Sequence, residues 1–69
     1  MIEVFKTNVL ESSQAAEIVA LLLQHFPGSK INFDLDDFDK VLRVEGENFI
    51  PGKIMTVVKE NGFMCHVLD

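Results

Sequence analysis

The chain has one cysteine, Cys65, among its 69 residues, so it cannot close an intramolecular disulfide or assemble a four-cysteine zinc site. Those are two of the usual aids for a domain of this length, whose single core is only marginally sufficient, and oligomerisation is the aid left open. Basic residues are also scarce. Six Lys and Arg face eleven Asp and Glu, for a formal net charge of −5, and they are scattered rather than gathered in a stripe. That balance repels phosphates, so neither nucleic acid nor a membrane surface is an expected partner. Long apolar runs are missing as well: the longest, 18–23, has six residues, far below the ~20 that a spanning helix needs.

No Gly-rich phosphate cradle is present, Ser12 and Ser13 have no evident base beside them, and no motif places a pair of carboxylates. No catalytic residue is read, an enzyme is not expected, and no cofactor is implied. The acidic run 34–39 lacks the glycine and glutamate of a calcium loop and reads as a solvated turn. No repeat, low-complexity tract or linker interrupts residues 1–69, which read as one domain. Residues 1–6 already alternate like a strand, with no apolar leader, and a lone thiol suits a reducing compartment, so a cytoplasmic location is expected.

What is present is a clear sequence of periodicities. Residues 2–9 are β-branched and aromatic without Gly or Pro, and read as a first strand. A helix is expected over 13–26, with the Ser12 and Ser13 hydroxyls as cap acceptors and Pro27-Gly28 as the stop. Ile31, Phe33 and Leu35 alternate with Asn32, Asp34 and Asp36 as a second strand, and 41–45 follow as a third, forming a hairpin with it. Pro51 opens a second helix that Asn61-Gly62 closes, although Ile50 offers no capping side chain and Gly52 weakens the first turn. Residues 63–68 alternate as a fourth strand. Two βαβ crossovers joined by a hairpin predict an α+β, ferredoxin-like βαββαβ sandwich, its antiparallel sheet ordered 4-1-3-2 with both helices on one face.

Four stretches in this order, Phe5-Lys6-Thr7-Asn8-Val9, Phe33-Asp34-Leu35-Asp36, the strand 39–46 and Val58-Lys59-Glu60-Asn61-Gly62-Phe63, resemble the heavy-metal-associated domains of copper chaperones and metal-pumping ATPases. The resemblance implies a metal loop after the first strand, where that family carries CxxC and two thiolates hold a soft cation. Here the corresponding positions are Glu11 and Gln14, and Phe63 matches the position that flanks the loop. Neither Glu11 nor Gln14 is a soft ligand, so no metal ion is expected there. Cys65 reads as a core thiol, and His25 and His66 as ordinary residues rather than ligands.

Surface is what remains. The first helix carries more apolar side chains than one sheet needs, and the excess stripe of Ala16, Val19, Leu23 and Phe26 would meet the second helix or another protein. On the open sheet face, Ile2, Val4, Val41, Met64, His66 and Leu68 are expected to point outward as a mixed patch. The expected function is therefore a non-catalytic domain with a degenerate metal loop, serving protein interaction or self-association as a dimer. The alternative is a heavy-metal (Cu or Zn) binding or transport protein with non-standard ligands.

Overall fold

A computed structural model describes residues 1–68. Its elements run β1 (Ile2–Thr7), α1 (Ser12–His25), β2 (Lys30–Asp34), β3 (Val41–Glu45), α2 (Pro51–Glu60) and β4 (Cys65–Val67). The strands form one antiparallel sheet ordered β2-β3-β1-β4, which is the expected 4-1-3-2 order read from its other edge. This is the ferredoxin-like arrangement.

The strand pleat decides which face is covered. Phe5, Thr7, Leu42, Val44 and Cys65 share one face and are buried, while their neighbours Lys6, Arg43 and His66 on the other face are exposed. Ala15, Ile18 and Leu22 of α1 and Ile54, Val57 and Val58 of α2 close over the buried face. Phe5, Leu22, Leu42 and Ile54 are fully sequestered, each contributing roughly 1.5–3 kcal/mol of apolar transfer. α1 packs over β2, and α2 over β4.

Three strands differ from their sequence pattern. The second, read over 31–36, runs Lys30–Asp34, because the turn held by Asp37 and Lys40 begins at Leu35. The first ends at Thr7 rather than at residue 9, because the Thr7 hydroxyl accepts the Val9 N–H at 3.2 Å and donates to the Lys40 carbonyl at 2.6 Å, turning the chain out of the ladder. Val9 is still fully buried, now as a loop anchor. The fourth begins at Cys65 rather than at residue 63. The Met64 N–H is taken by the Asn8 side chain at 2.7 Å and so is not free to pair with the β1 backbone, while the Phe63 N–H closes α2 on the Val58 carbonyl at 3.4 Å.

The helix ends also carry information. α1 starts one residue earlier than expected, with Glu11 at the N-cap and no side-chain cap bond, so the two serines fall inside the first turn. α2 has no cap bond either, but Phe49 precedes its N-cap Ile50 and is buried in the same core as Ile54, four positions into the helix. That is the spacing of a hydrophobic staple, which fixes the chain direction where the polar cap is missing. Gly62 closes α2 at φ +90°, with its N–H on Lys59 and the Phe63 N–H on Val58, a Schellman pattern that a residue with a Cβ disfavours.

Candidate functional site

The parallel run of β1 and β2 brings three connections to one end of the sheet: the loop 8–11, the β2–β3 turn 35–40 and the α2–β4 connection 61–64. This is the end at which the resemblance would place a metal. Glu11 is exposed there and Gln14 half-buried, while Phe63 is half-buried against the core. Cys65 lies below them on β4, opposite Thr7, with no accessible surface. Burial pushes its thiol up to about 11, against a smaller lowering by the Lys59 ammonium, so it stays a neutral thiol at neutral pH. Among the described residues, no three His, Cys, Asp or Glu side chains gather to hold an ion.

The same end carries apolar side chains in open solvent. Leu10 is 71 % exposed, Phe38 91 % and Met64 51 %, one from each connection. Phe38 sits at the tip of an ordered turn: the Asp37 carboxylate accepts the Asp39 N–H at 2.8 Å, and the Lys40 ammonium donates to the Leu35 carbonyl at 2.8 Å. The acidic run thus builds this turn, as Asp residues commonly do. Lys40 takes a left-handed φ of 46° to close it.

A second feature runs along the side of the molecule. Ala16, Val19, Ala20 and Leu23 of α1 face Ile31, Phe33 and Leu35 across a largely apolar groove of about 500 Å³. The α1 stripe that the sequence leaves in excess therefore borders β2. Only its last member, Phe26, lies between the helices, in a smaller cleft with Lys53, Thr56 and Val57 of α2. Ile31 and Phe33 were readable as inward-facing, and the expected strand order already put β2 on the sheet edge, where the structure leaves them half-buried.

The open sheet face is less continuous than its apolar members suggest. The register sets Val4 beside Arg43, Ile2 beside Glu45 and Lys6 beside His66, and Lys6 pairs with Asp39 at 3.5 Å. Ile2, Met64 and His66 are exposed, and Val4, Val41 and Leu68 half-buried, with charged side chains interleaved among them. Leu10 and Phe38 belong to neither expected surface. Their signal in the sequence was a large apolar residue inside a polar turn.

No protein-family model matches this chain, and no curated protein or solved structure is significantly similar to it. Among the described residues, no helix is long and apolar enough to cross a membrane.

Proposed function

We propose that the domain is a non-catalytic protein-interaction or oligomerisation module, built on a frame like that of the heavy-metal-associated domains but with a loop that has lost the metal ligands. The observation that carries this reading is the uncovered groove between α1 and β2, where Val19, Leu23, Ile31 and Phe33 keep apolar surface in contact with water. Contiguous apolar surface on a small domain is a feature of docking sites. The loop supports the reading from the other side. Glu11 and Gln14 offer hard oxygen atoms, and the one thiol is neutral and enclosed. A cytoplasmic setting, with its reducing thiol pool, suits that chemistry.

The test uses the full chain with Leu23→Glu in the groove and Glu11→Ala in the loop. Affinity capture should return a protein bound by the wild type, lost with Leu23→Glu and kept with Glu11→Ala. Native mass spectrometry after incubation with Cu(I) or Zn(II) and a competing chelator should show the bare chain. One tightly held ion per chain would instead support metal carriage through unusual ligands and sink the proposal.

A further inference from the structure

We infer that the free edge of β2 pairs antiparallel with β2 of a second copy, about a two-fold axis through Asn32, and that this pairing covers the groove. The inference rests on the interaction reading above and names its occupant. Gly46 donates its N–H to the Met1 carbonyl at 2.9 Å, and Leu68 donates to the Val4 carbonyl at 2.8 Å. Backbone groups alternate sides along an antiparallel strand, so odd-numbered residues of β1 bond toward β3 and even-numbered ones toward β4.

Carried through the register, Leu42 and Val44 bond toward β1, and Val41, Arg43 and Glu45 toward β2. Lys30, Asn32 and Asp34 then bond inward to β3, which leaves the N–H and C=O groups of Ile31 and Phe33 aimed out of the sheet. No turn, loop or cap hydrogen bond among the described residues engages them. An edge with unused backbone groups is a template for another strand.

The side chains specify which strand. With the axis at Asn32, Ile31 faces Phe33 of the second copy, and each of these pairs has outward backbone groups on both sides, the requirement for a hydrogen-bonded pair. Lys30 then faces Asp34 of the second copy, and Asp34 faces its Lys30, on the exposed side of the sheet. Sliding the strands by two residues in either direction puts a charge opposite Asn32 instead. The sequence of β2, Lys-Ile-Asn-Phe-Asp, is thus its own electrostatic complement in this one register.

The groove supplies the second contact. Ile31 and Phe33 point to the helix layer, where Val19 and Leu23 of α1 border the same edge. Pairing the β2 edges extends the sheet and sets the two α1 stripes side by side, apolar against apolar, in an isologous interface. Each copy carries a formal charge of −5, and at ~0.15 M salt such repulsion is screened beyond about 8 Å. The local charge pairs and the apolar contact therefore govern association.

Charge reversal tests the register. Lys30→Asp and Asp34→Lys alter exposed side chains, and circular dichroism checks that each variant folds. By light scattering on a sizing column at ~0.15 M salt, the wild type should be a dimer. Each single variant sets like charges opposite one another twice and should weaken association about ten-fold or more. An equimolar mixture of the two variants restores opposite charges at every pair and should recover the dimer. A wild type that stays monomeric at millimolar concentration overturns the inference, as do single variants that dimerise as well as the wild type. If such a monomer still captures another protein in a manner lost with Leu23→Glu, the interaction reading survives without self-pairing; if it captures nothing that Leu23→Glu removes, both fail.

Discussion

The side-chain oxygen of Asn8 accepts the backbone N–H of Met64 at 2.7 Å, tying the loop after β1 to the connection before β4 across 56 positions of chain. This bond sets both where β4 begins and how the two loops at that end of the sheet lie together. Replacing Asn8 with Ala should cost about 0.5–1.5 kcal/mol in urea unfolding, the usual net worth of one such bond. Asn8→Asp keeps an acceptor and should lose less.

Thr7 makes a stricter demand because it is buried and its hydroxyl serves two backbone groups, the Lys40 carbonyl and the Val9 N–H. Thr7→Val keeps the shape and removes both bonds. A loss of roughly 1–3 kcal/mol is expected, since two polar groups are left without a partner. Chemical denaturation measures it, and a loss below about 0.3 kcal/mol would show that water reaches these groups.

The N-cap of α1 is a position where the fold has room to improve. Glu11 adopts the extended cap conformation without a side-chain cap bond, and its carboxylate is one methylene longer than that of Asp. Glu11→Ser or Glu11→Asp should stabilise the domain by ~1 kcal/mol, raising the melting temperature by about 4–8 °C for a chain of this size.

Glu11 and Gln14 also permit a gain-of-function test of the proposed kinship. They stand three residues apart across the start of α1, at the N-cap and in the first turn. The double variant Glu11→Cys with Gln14→Cys puts two thiols where the helix terminus favours thiolates. It should bind one Cu(I) per chain against a competing chelator, with the wild type binding none. Failure of the folded double variant to take up Cu(I) would count against the kinship.

Cys65 ties stability to alkaline pH. Its thiol is raised from an ordinary 9.0 to about 11 because the folded chain encloses it, so between these values the unfolded chain releases a proton that the folded chain keeps. Stability from this group is complete below pH 9 and is lost as pH rises toward 11. The wild type should therefore lose more stability between pH 8 and pH 10 than Cys65→Ala does, by urea unfolding. At pH 8 a thiol reagent should label the native protein only as fast as it opens.

Much of the frame was legible because it is written in short-range pattern. The alternation of Ile31, Phe33 and Leu42, Val44, the stop at Pro27-Gly28 and the closure at Asn61-Gly62 each act within a few residues of where they stand. The misread ends of β1 and β4 have a common cause. Thr7 with Lys40, and Asn8 with Met64, are bonds between distant segments, and they withdraw amides from strands that local pattern would extend. Phe49 was invisible for a similar reason: in sequence it is a loop residue, and only the packing of α2 against the sheet makes it core. The same limit applied to the surface. Helical spacing showed that α1 has apolar side chains in excess, but not that β2 would border them.

The sequence by itself determined the order of elements, the buried face of each strand and the absence of soft ligands at Glu11 and Gln14, because residue type and periodicity act locally. Tertiary structure alone decided the strand register, and with it that the Ile31 and Phe33 backbone groups point outward, and that α1 leaves a groove beside them. Register is a long-range pairing, fixed only when the whole core closes and each amide has chosen its partner.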